Sequence, residues 1–155
     1  MDLPDASSRP SRLSSVVRVL VVGALLLSFI SGVALWYGQS LAEHALAPPL
    51  WLRPWRLLHG GLNPVLCGVF GYLCCQHIRY GWALRANWIS GFTMEGVFLL
   101  LILSALPIYY AGDGTFRQAC VFLHRALGAA LPVVLIVHWI AAQIWVKKFL
   151  KPTCN

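Results

Sequence analysis

Four apolar stretches occupy most of this 155-residue chain, and each is long enough to cross the hydrocarbon core of a bilayer, which takes about 20 residues. They cover roughly residues 16–37, 55–78, 89–110 and 120–146. Hydrophobic residues make up 59% of the chain and charged residues 11%, which is more apolar than a soluble domain of this size requires. The sequence therefore predicts an all-α integral membrane domain over residues 14–150, an up-down four-helix bundle, preceded by a flexible tail at residues 1–13.

The net charge of +7 does not indicate nucleic-acid binding, because the basic residues lie at the ends of the apolar stretches instead of forming one patch. They lie before or at the start of the first stretch (Arg9, Arg12, Arg18), separate the second from the third (Arg79, Arg85) and follow the fourth (Lys147, Lys148, Lys151). The positive-inside rule then places both termini in the cytoplasm, and we expect a multi-pass protein of a bacterial inner membrane. In this topology the second and fourth helices run in the same direction.

Four of the five histidines fall within apolar stretches, and they occur only in the second and fourth: His59, His77, His124 and His138. Ionisable residues are costly in such segments and usually mark function. The 18 residues from His59 to His77 complete five helical turns. The 14 residues from His124 to His138 fall about 40° short of four turns. Each helix therefore carries its two histidines on one face, and parallel helices would oppose them as an outer and an inner pair.

Two opposed imidazoles are the axial ligands of a six-coordinate haem, and four-helix bundles commonly hold cofactors between facing helices. The sequence thus predicts two b-type haems, one held by His59 and His124 and the other by His77 and His138. Residues near the histidines fit this prediction. The predicted partners of the haem propionates are Arg56, Arg125, Arg79 and Arg85, and small residues that would clear a planar macrocycle are Gly60, Gly61 and Gly128.

The two histidine spacings differ, which makes the inner pair the weaker prediction. Eighteen residues rise about 27 Å along a helix and fourteen about 21 Å, an offset of about 6 Å. Helix tilt, an inclined haem, or a kink at Pro64 or Pro132 would have to compensate for this axial offset between the two inner histidines.

With its histidines in LLHGG, CQHIRYGW, LHRALG and VHW, the chain resembles the di-haem bundle of the cytochrome b superfamily. That group includes the b-type subunits of respiratory complexes and the b561-like proteins. The resemblance covers residues 14–148 and implies haem ligation at the four histidines. The spacing of 18 residues departs from the pattern of quinol-oxidising complexes, where both pairs are spaced by about fourteen, and the additional helices that complete their outer quinol site have no counterpart here.

Glu95 is the carboxylate that falls within an apolar stretch. Three roles are open: it serves a quinone as a proton site, it pairs with Arg79 or Arg85, or it hydrogen-bonds a neighbouring helix. Asn87 is expected to cap the third helix.

These observations predict an electron-transfer subunit of an oxidoreductase complex, not a stand-alone enzyme. Electrons would pass across the bilayer between a quinone or cytoplasmic-side site and a periplasmic cytochrome c or oxidoreductase subunit. This partner would dock on the tryptophan-rich outer loop, about residues 38–54. The alternatives are a non-redox scaffold, in which the histidines only join helices, and a protein that handles copper or zinc.

Overall fold

The computed structural model describes residues 14–43, 48–83, 87–112 and 114–149. The predicted tail, His44 and Arg85 lie outside these residues. The described chain is helical: α1 (Ser15–Ala42), α2 (Leu52–Leu73), a π-helical segment (Cys74–Ile78), α3 (Arg79–Ala83), α4 (Trp88–Tyr110) and α5 (Thr115–Phe149). The segments from α2 to α3 follow one another without a break.

The prediction of an all-helical chain with four helices long and apolar enough to cross a membrane is confirmed. The helices extend beyond the apolar stretches. Helix α1 begins at a cap, where the Ser14 hydroxyl accepts a hydrogen bond from the Val17 amide, and continues to Ala42. Helix α5 has 35 residues and includes polar residues at both ends. Hydropathy underestimates such ends, because backbone hydrogen bonds continue past the last apolar side chain.

Large apolar side chains lie on the outside of these helices. Val19 is 70% exposed, Ile89 68% and Phe122 76%. Few apolar residues are buried within the described chain. A surface of this kind is the reverse of that of a soluble protein and is typical of helices that contact lipid.

The first compact unit, residues 13–71, contains α1 and most of α2. The polypeptide passes close to α1 at Gly38, where an added Cβ would overlap the Leu52 side chain and come within 2.7 Å of the Trp51 ring. Leu52 is only 3% exposed. Part of the tryptophan-rich outer loop is therefore packed against α1, and glycine at position 38 permits the close approach.

The second unit contains the chain from Tyr72 onward. Its helices α4 and α5 form an antiparallel hairpin with a well-defined register. Near the turn, the Arg117 side chain donates a hydrogen bond to the Ile108 carbonyl oxygen over 3.2 Å. Further along, Gly128 lies opposite Leu101, whose Cδ2 is 4.0 Å from the position of an added Cβ. This register sets which residue of α4 faces each histidine of α5.

The helix that begins at Leu52 changes its hydrogen-bond pattern at Cys74, not at its proline. Pro64 lies inside α2 and Pro132 inside α5, and neither interrupts its helix. The π-helical segment instead spans Cys74–Ile78 and carries His77. Such segments widen the helix locally and frequently occur at functional sites. His77, a member of the weaker predicted pair, therefore lies in a segment that departs from regular α-helical geometry.

Candidate functional site

His77 and His138 face each other within the second unit. Their ring centroids are 6.4 Å apart, and their planes are nearly perpendicular, at 85°. His77 comes from the π-helical segment and His138 from the middle of α5. The two histidines of the inner pair, which was the weaker prediction from the sequence, therefore lie in contact.

Helix α4 holds His138 at two points. The Ser90 hydroxyl lies 3.1 Å from His138 Nδ1, and the Asn87 side-chain amide donates a hydrogen bond to the His138 carbonyl oxygen over 3.3 Å. Gly91 leaves room beside the ring, since its added Cβ would lie 3.9 Å from His138 Cε1. These contacts fix both the backbone and the ring of His138 against α4.

The expectation for Asn87 is only partly correct. Asn87 is the residue at which α4 begins, in the left-handed conformation with φ of 51°, which asparagine adopts more readily than most residues. Its side chain makes no capping hydrogen bond and reaches α5 instead. The amide thus joins two helices, because the bond to the His138 carbonyl competes with the local cap.

His59 is held by α1 in the first unit. Its Nδ1 lies 2.9 Å from the Ser31 hydroxyl and 3.1 Å from the Ser28 carbonyl oxygen. Gly32 lies directly beside the ring, and a Cβ there would come within 3.1 Å of His59 Cε1. The α1 backbone therefore approaches the ring as closely as glycine allows.

His124 has an equivalent contact with α4. Its Nδ1 lies 3.0 Å from the Ser104 hydroxyl. The Ser104 hydroxyl donates its own proton to the Leu101 carbonyl oxygen over 3.1 Å. With this proton on the backbone, the Ser104 oxygen is left as an acceptor for the ring.

The hydrogen bonds indicate which nitrogen of the His59 ring carries the proton. A carbonyl oxygen can only accept a hydrogen bond, so His59 Nδ1 is the donor to Ser28 and the lone pair of this ring lies on Nε2. His124 and His138 contact serine hydroxyls that also lie near backbone carbonyls, an arrangement that fits the same tautomer. Nε2 is a nitrogen through which imidazole commonly binds metals.

Sequence reasoning missed these serines, because a single serine in an apolar helix is usually a neutral filler. The structure separates them from that class: Ser31 is 0% exposed and Ser104 is 5% exposed, and they are the buried polar residues of the described chain. The sequence did hold a signal. SGVALWY begins at Ser31 and SALPIYY at Ser104, two segments with a matching serine, apolar run and aromatic end.

The predicted propionate partners that the structure describes lie within three residues of their histidines along the chain. Arg56 is exposed on α2 one turn before His59, Arg79 is exposed at the start of α3, and Arg125 is half-buried next to His124. Gly128 lies one turn after His124 and faces Leu101. The roles of these four residues toward a haem stay predictions.

Glu95 lies on α4 with its Oε2 atom buried and without a hydrogen-bond partner among the described residues. Within that part of the chain it forms no ion pair with Arg79, one of its two predicted partners. Its carboxyl group is close enough to the Cys74 thiol, three residues before His77, to interact electrostatically. Glu95 therefore lies in the part of the second unit that holds the His77–His138 pair.

No protein-family model, curated protein or solved structure matches the chain. The described residues also contain no cluster of three or more His, Cys, Asp or Glu side chains that could bind a metal ion.

Proposed function

We propose that the protein is a membrane-embedded di-haem cytochrome b, an electron-transfer subunit of a larger redox complex. In this proposal the four long helices form an up-down bundle with both termini in the cytoplasm. Electrons pass between a quinone or cytoplasmic-side site and a periplasmic redox partner. The observation that carries the proposal is the facing pair of His77 and His138.

The separation of these two rings matches what an axial ligand pair requires. Two metal–nitrogen bonds of about 2.0 Å, plus about 1.1 Å from each nitrogen to its ring centroid, would give a centroid separation of about 6.2 Å. The observed value is 6.4 Å. Perpendicular aromatic rings in simple contact also span 4.5–7 Å, so the distance supports the proposal together with the chemistry of the donors.

That donor chemistry favours haem over a bare metal ion. A structural zinc site takes four protein ligands, and the described residues offer no group of even three. A haem needs only two from the protein, because the macrocycle provides the other four nitrogens. Because the Ser90 hydroxyl contacts His138 Nδ1, Nε2 of this ring would be the atom that holds the haem iron.

The second haem rests on His59 and His124. Each contacts a serine hydroxyl through Nδ1, the nitrogen that ligation through Nε2 would leave for a hydrogen bond, and their pairing stays a prediction from the sequence pattern. Bound haem would supply one-electron chemistry, cycling between ferric and ferrous iron. The chain's own residues would hold it: histidines as ligands, and Arg56, Arg125 and Arg79 as partners of the propionates.

A non-redox scaffold is the second candidate. The serine–histidine hydrogen bonds join α1 to α2 and α4 to α5, which is how polar side chains stabilise helix packing in membranes. A scaffold function accounts for three of the histidines. It does not explain the ring contact between His77 and His138.

One spectrum of the purified protein separates the two candidates. We expect the reduced-minus-oxidised difference spectrum to contain the absorption bands of b-type haem. The His138→Ala variant should lose part of that signal. Gln143→Ala, which changes an exposed polar residue of the same helix, should retain all of it. A haem-free wild-type protein, expressed with haem available, would leave the scaffold as the better function.

A further inference from the structure

We propose that Ser31, Ser90 and Ser104 are positioning residues that fix the ligating tautomer of His59, His138 and His124 and strengthen these rings as ligands. The inference rests on the proposed function and deepens it. Helices α1 and α4 would then contribute to the redox sites through hydroxyl groups, while the ligands themselves come from the π-helical segment and from helices α2 and α5.

The three serines share one geometry. Each hydroxyl is directed to the carbonyl oxygen three residues earlier in its own helix, at 2.9 Å for Ser31, 3.4 Å for Ser90 and 3.1 Å for Ser104. Each oxygen also lies 2.9 to 3.1 Å from a histidine Nδ1. A serine proton that is donated to the backbone leaves the hydroxyl oxygen as an acceptor for the proton of the ring.

This arrangement has electronic consequences for a ring that binds iron. A hydrogen bond accepted from Nδ1–H holds the ring orientation and shifts electron density toward Nε2, which raises the basicity of the ligand. A more basic ligand favours ferric over ferrous iron and lowers the reduction potential. Removing the serine oxygen should therefore raise the potential of the haem that its histidine ligates.

His77 differs from the other three histidines. Over the described ranges no hydroxyl contacts its ring, and its recorded contact is with His138. The haem at this pair would thus have one ligand supported by a serine and one without such support. Ser90 would then act on that haem from one side only.

The chain offers matched controls for each serine. On α4, the Thr93 hydroxyl donates to the Ile89 carbonyl oxygen over 2.9 Å and is exposed. On α1, the Ser40 hydroxyl donates to the Tyr37 carbonyl oxygen over 2.8 Å, with the same three-residue step as Ser31. Neither control hydroxyl is recorded in contact with a histidine.

The test is a redox titration of the purified full-length holoprotein. We expect Ser90→Ala to raise the midpoint potential of one haem by up to about 59 mV, the one-electron equivalent of a tenfold loss in stabilisation of the ferric state. Thr93→Ala should leave the potential unchanged, and Ser90→Thr, which restores a hydroxyl, should return it toward the wild-type value. Ser31→Ala against Ser40→Ala repeats the comparison on α1.

A second readout follows the ring proton directly. In the reduced, diamagnetic holoprotein with ¹⁵N-labelled histidine, the Nδ1 proton of His138 should exchange slowly with solvent, and it should exchange faster in Ser90→Ala. Potentials and exchange rates in Ser90→Ala and Ser31→Ala that equal those of the controls would overturn the inference while leaving haem binding intact. Absence of haem from the wild-type protein would overturn the proposed function, and the inference with it.

Discussion

The rings of His77 and His138 lie at 85° to one another with their centroids 6.4 Å apart. Their helical segments impose this orientation, since the Ser90 contact fixes the His138 ring from α4 and the π-helical segment carries His77. In the proposed function these two rings would hold one haem, and the angle between their planes would then determine how the iron orbitals split. The proposal therefore gives this orientation a spectroscopic consequence.

Perpendicular ligand planes should be visible in the electron paramagnetic resonance of the oxidised protein. We expect one low-spin ferric haem to give the strongly anisotropic signal of perpendicular imidazoles, and this signal should disappear in His77→Ala. Rhombic signals alone, as parallel planes produce, would contradict the ring geometry of this pair.

Gly38 should be essential for the packing of the first unit. An added methyl group would overlap Leu52 and crowd Trp51, and overpacking of this kind costs about 1–3 kcal/mol. We expect Gly38→Ala to lower the free energy of unfolding by that amount in a detergent-denaturation experiment. Gly23→Ala is the control on the same helix, because no atom lies within 4 Å of its added Cβ. Equal stability of the two variants would show that α1 is not packed this closely.

Replacement of Gly32 by alanine should weaken the binding of one haem, the one predicted at His59. A Cβ at this position would come within 3.1 Å of His59 Cε1 and displace the ring from its hydrogen bond with Ser31. We expect Gly32→Ala to weaken haem binding at His59 by about tenfold, the lower end of the effect of losing such support. Gly23→Ala, on the same helix as Gly32 and with no atom within 4 Å of its added Cβ, should bind haem normally. Unchanged haem content in Gly32→Ala would argue against ligation by His59.

Glu95 can be tested as a proton site for a quinone. Its buried Oε2 lacks a hydrogen-bond partner in the described chain. We expect Glu95→Gln to retain its haem and its reduction by dithionite, but to be reduced by a quinol about 100-fold more slowly, as the loss of a general acid–base group predicts. Thr93→Val, two residues away on α4, should behave like the wild type. Normal reduction of Glu95→Gln by quinol would assign the carboxylate a packing role.

The sequence predicted the coarse architecture well and the support of the histidines poorly. Hydropathy located all four long helices, because about 20 apolar residues are a strong and redundant signal. That each helix carries its two histidines on one face stays a prediction from helical periodicity. Periodicity could not predict the π-helical segment at His77, which depends on local hydrogen-bond geometry. It missed Ser31 and Ser104 because burial and a ring partner, not residue type, distinguish them from other serines.

The haem content of the purified full-length protein tests the central claim most directly. Pyridine haemochrome analysis should give about two b-type haems per chain in the wild type, one for each predicted ligand pair. His77→Ala and His138→Ala should each lose one haem, and the double variant should lose no more than either alone, because both rings hold the same iron. A wild-type protein without haem, or single variants that keep the full complement, would contradict the assignment of His77 and His138 as an axial ligand pair.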